Sequence, residues 1–109
     1  MKKITGPIPS VNEDQLTELS DILRLMGDSS RLKIIIACLK KPICVTDISN
    51  STGLSQALVS HHLRLLRATG LLNAKRQGRQ IFYVIGGDYV RCILVDLIRH
   101  VSQSSKVKP

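Results

Sequence analysis

The stretch Gly53-Leu54-Ser55-Gln56-Ala57-Leu58-Val59-Ser60-His61-His62-Leu63-Arg64-Leu65-Leu66-Arg67 decides how this chain is read. Gly53 marks a tight turn, Ser55 is a natural N-cap, and one amphipathic helix follows. Val59, Leu63 and Leu66 recur at helical spacing and form its apolar face. Gln56, Ser60, His61 and Arg64 fall on another face, with Ser55 and Ala57 at its N-terminal end. That face carries short hydrogen-bonding groups and cations, and no acid. Such a surface fits the major groove of DNA, where base edges offer donors and acceptors between flanking phosphates. A short helical segment, Thr46 to Thr52, comes just before the turn. Helix, glycine turn, helix is the helix-turn-helix arrangement. An ordinary surface helix also has a polar face, so the distribution of charge has to separate the two readings.

The chain has 16 Lys+Arg against 8 Asp+Glu, a formal net charge of +8. No Asp or Glu occurs between Asp47 and Asp88, whereas Arg64, Arg67, Lys75, Arg76 and Arg79 lie inside that span. Glu13, Asp14, Glu18, Asp21 and Asp28 all precede residue 30. A basic half without acids, beside an acidic start, is the electrostatic footprint of a polyanion binder. A membrane surface would also attract cations. These are not arranged on a long amphipathic helix with aromatic anchors, so no membrane partner is expected.

At 109 residues the chain has room for one domain with one core. Hydrophobic residues make up 43% but aromatics only 3%, so the core is built from Leu, Ile and Val. A small aliphatic domain with apolar helices at both ends often completes its core by dimerising. No stretch is long and apolar enough to span a membrane. The opening Met-Lys-Lys-Ile-Thr-Gly-Pro lacks the apolar run of a secretory signal. Three cysteines, an odd number, give no disulfide framework. A reducing cytoplasm fits.

Working outward from the recognition segment, residues 1–10 read as an irregular arm and 11–103 as the domain. Ser10 or Asn12 can cap a first helix in which Leu16, Leu19, Leu23 and Met26 repeat as far as Gly27. Asp28 or Ser29 caps a second. Its stripe is Leu32, Ile35, Ile36 and Leu39, with Ile34 and Cys38 off the stripe, as in a helix buried centrally. Gly70 ends the recognition helix, and Leu71 to Ala74 begin an extended run. A turn at Gln77-Gly78 leads into Gln80-Ile81-Phe82-Tyr83-Val84-Ile85, which is rich in β-branched and aromatic residues. This is a β-hairpin tipped with Lys75, Arg76, Gln77 and Arg79. Unopposed cations there suit phosphate contact, the role of a wing. Asp88 can cap a last helix running to about Gln103, with Ile93, Leu97 and Val101 on its wide apolar face. Residues 104–109 form a polar tail expected to fray. The fold class is mainly α with a small β-hairpin, a dimeric winged helix-turn-helix.

At this point the chain resembles the ArsR/SmtB family of winged helix-turn-helix repressors. Leu25-Met26-Gly27-Asp28-Ser29-Ser30-Arg31-Leu32-Lys33-Ile34-Ile35 looks like that family's lead into its second helix. Ile43-Cys44-Val45-Thr46-Asp47-Ile48 is similar to its metalloid-binding signature. Leu54-Ser55-Gln56 with Val59-Ser60-His61-His62-Leu63-Arg64-Leu65-Leu66 resembles its recognition helix. Ala74-Lys75-Arg76-Gln77-Gly78-Arg79 with Phe82-Tyr83 resembles its wing. The likeness covers roughly residues 16 to 103, with several separated motifs in order. It implies a homodimer paired through the first and last helices at Leu16, Leu19, Leu23, Ile93, Leu97 and Val101. It also implies a palindromic double-stranded operator and a silenced promoter.

The resemblance implies an inducer too, and here the sequence departs from the pattern. The family's metalloid sites use Cys-Val-Cys, whereas this chain has Cys44-Val45-Thr46, so one thiolate is missing. Cys38 lies about two helical turns earlier and Cys92 in the last helix, and neither replaces it by simple spacing. The arm that supplies cysteines to the cadmium and lead sites has none here. The family's zinc and cobalt positions, counted from Tyr83, are Gly87, Tyr89, His100 and Gln103. Only His100 is a ligand, against the roughly four that a tetrahedral site requires. No complete metal site is evident, no cofactor is assigned, and Cys44 and His100 are the only weak candidates. Cys44 precedes a helix N-terminus, a setting that favours thiol reactivity, and leads as a residual sensing thiol. Cys38 and Cys92 read as small hydrophobes in apolar helices. His61 and His62, adjacent on a helix, point about 100° apart and rarely share one ion. His61 then belongs to the groove face and His62 to the core edge.

Acid–base clusters, phosphate-binding glycine loops and nucleophile signatures are all missing from the sequence, so neither an enzyme nor a small-molecule substrate is expected. A protein-interaction module of the same shape would carry acids on the recognition face, and there are none. Within the same fold, the alternative to an inducible repressor is one released by thiol or redox change, or one without an inducer. Which two of Cys38, Cys44 and Cys92 meet, if any, is not legible in the sequence.

Overall fold

The computed structural model describes residues 6–107, with side chains from 6 to 103. Its elements follow in the order α1 (Glu13–Met26), α2 (Ser29–Lys40), α3 (Val45–Thr52), α4 (Gln56–Ala68), β1 (Leu72–Gln77), β2 (Gln80–Ile85) and α5 (Asp88–Val107). α1, α2 and α4 each start where the sequence supplies a side-chain partner for free N–H groups. Asn12 caps α1 in a capping box: its Oδ1 accepts from the Gln15 N–H at 2.8 Å, and Gln15 Oε1 accepts from the Asn12 N–H at 3.0 Å. Asp28 caps α2 through the Arg31 N–H. That hydrogen bond holds the Asp28 carboxyl below its ordinary range.

The core lies between α2, α3, α4 and the hairpin. Ile34, Ile35, Cys38, Ile48, Val59, Leu63, Leu66 and Leu72 are its most deeply buried side chains. In α2 the buried side centres on Ile34, Ile35, Cys38 and Leu39. The expected stripe is therefore rotated, and Leu32 and Ile36 are only half-buried. Periodicity alone does not orient a helix that is apolar nearly all round. β1 and β2 pair antiparallel from Leu72↔Ile85 to Gln77↔Gln80. Ile43 extends this sheet by a bridge to Tyr83: Tyr83 N–H donates to the Ile43 carbonyl at 2.8 Å, and Ile43 N–H to the Tyr83 carbonyl at 3.2 Å.

Several boundaries differ from the sequence expectation. The hairpin turn is Gly78-Arg79, one residue later than expected, and Gln77 still pairs across the sheet. Gly78, at φ +64°, takes the first central position, which suits the twist of a two-residue hairpin loop. Cys44 is the N-cap of α3, so that helix starts at Val45. Asp88 lies inside the first turn of α5 rather than before it. There its carboxylate meets the positive end of the helix instead of capping it. Finally α5 continues to Val107, beyond the expected end near Gln103, because nothing in Ser104-Ser105-Lys106 breaks a helix. Residues 1–5 of the expected arm and the last two residues of the expected tail lie outside the described residues.

Two tertiary contacts place the ends of the domain. Gly86 lies so close to Gly70 that a Cβ there would stand 1.9 Å from the Gly70 carbonyl oxygen. Only glycine fits this approach, where Gly86 N–H donates to the Leu71 carbonyl at 2.9 Å. Arg91 of α5 reaches the C-terminal end of α2, its Nη1 donating to the Leu39 carbonyl at 2.8 Å. A cation on an unpaired carbonyl at a helix C-terminus is a favourable cap. No helix among the described residues is long and apolar enough to cross a membrane.

Candidate nucleic-acid interface

α3 and α4 are joined at Gly53, which takes φ +78° and donates its N–H to the Ser49 carbonyl at 2.9 Å. Ser49 Oγ then donates to the Leu54 carbonyl and closes the turn. Ser55 caps α4, its Oγ accepting from the Leu58 N–H at 3.1 Å, which leaves its hydroxyl proton free to donate outward. α4 is thus held rigidly against the core by Val59, Leu63 and Leu66. Gln56, Ala57, Ser60, His61 and Arg64 are all exposed on its outer side.

Lys75, Arg76, Gln77 and Arg79 are exposed on the hairpin. They do not form one cluster. Register places Lys75 opposite Phe82 and Arg76 opposite Ile81, and neighbours along a strand point to opposite faces. Lys75 and Gln77 therefore share one face of the wing and Arg76 takes the other, while Arg79 sits at the tip. The one ion pair among the described residues is Arg24 with Asp21, on α1. The cations of α4 and the hairpin are accordingly free to meet phosphate.

Arg67, read from the sequence only as part of the basic span and not as a groove-face residue, lies beside this set. A cleft of about 470 Å³ runs between α4 and the sheet, bordered by Ser60, Arg64, Arg67 and Tyr83. Ser60, Arg64 and Arg67 follow one another at i, i+4 and i+7, the spacing of a single helix face, so the signal was present in the sequence.

His61 is exposed, while His62, turned about 100° toward the core, is 7% exposed. Its Nδ1 is buried without a hydrogen-bond partner among the described residues. Burial lowers its pKa, and the nearby Arg31 adds to this against a smaller opposing pull from Asp28.

The sensing candidates are dispersed. Cys38 is buried, Cys44 half-buried and Cys92 exposed, and all three are free thiols. Cys92, read as a small hydrophobe of an apolar helix, lies on a side of α5 exposed within this chain. Burial pushes the Cys38 thiol up to about 12. His100 is exposed on α5. Among the described residues no three His, Cys, Asp or Glu side chains group together as a metal site would need.

No residue of α1 is fully buried; Ile22, Leu25 and Met26 pack half-buried against the core, and the rest of its apolar side is open. Leu16, Leu19 and Leu23 on α1, and Ile93, Leu97 and Val101 on α5, are 44–62% exposed. Between the two helices runs an apolar groove of about 590 Å³ floored by Leu32 and Ile36. So large an apolar surface on a small domain marks an interaction face.

Comparison with known proteins places this geometry. The family described as "bacterial regulatory protein, arsR family" matches residues 28–74, from the cap of α2 into β1. The regulator NmtR of Mycobacterium tuberculosis is 32% identical over 94 residues, which span 86% of this chain and 78% of that protein. A transcriptional repressor SmtB homologue of Synechocystis is 29% identical over 91 residues, 84% of this chain and 69% of its own length. Among solved structures, a homodimeric winged helix-turn-helix DNA-binding domain from Mycobacterium bovis superposes with a TM-score of 0.73 at 26% identity. That match covers 83% of this chain and 82% of the other.

Proposed function

Because the chain belongs to the arsR family of bacterial regulatory proteins, a family of transcription regulators and not of enzymes, we propose that it is a homodimeric repressor binding double-stranded operator DNA. The observation that carries this reading is the exposed, acid-free outer face of α4 flanked by a basic hairpin that makes no ion pair among the described residues. In it α4 enters the major groove, where Gln56, Ala57, Ser60 and His61 meet base edges while Ser55 and Arg64 contact the groove's rim. Lys75, Arg76, Gln77 and Arg79 of the wing, with Arg67 in the cleft, neutralise phosphates. The apolar faces of α1 and α5 pair with those of a second copy, as supported by the homodimeric M. bovis domain. A two-fold dimer presents two recognition helices related by symmetry, and this calls for a palindromic operator. A cytoplasmic location follows from the role.

Any inducer stands apart from the metals bound at the usual positions of the fold, since Gly87, Tyr89 and Gln103 are poor ligands and Thr46 replaces a thiolate. A thiol-responsive repressor is the second reading, favoured by the exposure of Cys92 and the half-buried Cys44 at the N-cap of α3. Footprinting on the DNA upstream of the protein's own gene tests the main proposal. The expected pattern is two protected half-sites about one helical turn, or a multiple of it, apart. Protection no stronger than on random duplex would refute sequence-specific repression.

A further inference from the structure

α2 and α3 leave a second groove between them, of about 520 Å³. It is lined by Lys33, Lys40 and Lys41 and floored by Ile36, Ala37 and Ile43. All three lysines are exposed. No acid lines it, and none of the three makes an ion pair among the described residues. Lys33 and Lys40 stand two turns apart, about 10 Å along one side of α2. Like charges around one concavity repel one another, and an anion bound between them relieves that repulsion. The apolar floor adds a second requirement. It gives nothing to a bare phosphate but desolvates the body of an amphiphilic anion. Ser51 and Thr52 close one end, but both hydroxyls donate to the Ile48 carbonyl, so the anionic head falls to the lysines.

The groove shares no residue with α4 or the hairpin, yet it touches both ends of the DNA-binding unit. At one end Ile43 is bonded to Tyr83, which borders the cleft between α4 and the sheet. At the other, Thr52 Oγ1 accepts from the Leu54 N–H at 3.3 Å, inside the turn that aims α4. A body lodged between α2 and α3 therefore bears on the spacing of recognition helix and wing.

We propose that this groove binds a small organic anion with an apolar body, a carboxylate of the medium-chain acyl type, and that binding weakens the hold on DNA. The second half of the proposal rests on the repressor reading, and the first half does not. Octanoate is the probe, titrated into the intact dimer without DNA and followed by backbone amide NMR. Saturable shifts should centre on residues 33–43 and 51–52. Affinity should fall by about ten-fold in Lys33→Gln/Lys40→Gln, and inorganic phosphate should bind about ten-fold more weakly than octanoate. At constant ionic strength octanoate should then lower operator affinity about five-fold in the native protein and leave the double variant unaffected. Shifts confined to α1 and α5 would overturn the proposal, as would equal octanoate affinity in the double variant or equal affinity for phosphate. If the double variant unfolds, Ala37→Leu serves instead. It fills the floor and keeps every lysine, and undiminished octanoate binding there would also overturn the proposal. Octanoate bound in the groove with unchanged operator affinity would overturn the coupling. A protein that binds octanoate but no duplex would sink the repressor reading and leave the groove assignment standing.

Discussion

Ser60, His61 and the wing cations Lys75 and Arg79 carry different kinds of information. Short polar groups on α4 can tell one base edge from another, whereas a cation on a phosphate cannot. Arg79→Ala or Lys75→Ala should therefore weaken binding to operator and random duplex alike. Ser60→Ala or His61→Ala should cost about 1–3 kcal/mol on the operator and little on random DNA. Fluorescence anisotropy on both duplexes checks this, and wing variants that alone changed the operator-to-random ratio would reverse the assignment. His62 makes a separate prediction. Its folded pKa lies below the ordinary value because burial disfavours the charged form. The unfolded chain thus binds the proton more readily. Stability is complete above about pH 6.5 and falls as the pH drops through that value toward the folded pKa. Urea unfolding of His62→Leu across that window should lose this part of the slope. With the orphaned Nδ1 gone, the variant should be no less stable than the native protein at pH 7. An unchanged slope would assign it to other groups. The exposed face was legible residue by residue, since a helix period sorts Val59 from Ser60 without knowledge of the fold. The state of His62 was only half legible: its side of the helix could be read, but the lack of a partner depends on what α2 places opposite.

At the scale of elements, the strongest sequence signals were local. Gly53 and Ser55 announced helix ends, and Asn12 and Asp28 stood among the two candidates offered at each of the first two, because capping chemistry is written within a few residues. The hairpin register slipped by one place because Gln77-Gly78 and Gly78-Arg79 are both acceptable turns by composition, and pairing across the sheet decides between them. The Arg91 cap on α2 bridges residues far apart in the chain, and no local pattern announces it. The same holds for Gly86, whose need for glycine comes from Gly70 on another element. Gly86→Ala should force the two backbones apart and cost about 1–3 kcal/mol, the usual range for overpacking. Thermal unfolding at fixed protein concentration measures it. A loss within about 0.5 kcal/mol, typical of surface substitutions, would mean that the approach is looser than described.

The whole molecule is a small core, to which α5 contributes Val90 and Leu94, with apolar faces of α1 and α5 left open to solvent. α1 packs only Ile22, Leu25 and Met26 against the core, so the exposed leucines of α1 and α5 are proposed as half of an interface. Leu97→Lys should put two like charges into that interface and lower both dimerisation and operator affinity, with sedimentation velocity reporting the first. A dimer of undiminished affinity would place Leu97 outside the interface. The central claim, that an acid-free basic face grips a polyanion, is tested most directly by the salt dependence of affinity for duplex DNA. Each neutralised phosphate contributes about −0.9 to the slope of log affinity against log salt. With cations on α4 and the wing of each subunit, doubled in the dimer, a slope of about −5 or steeper is expected. A flat dependence would contradict the claim.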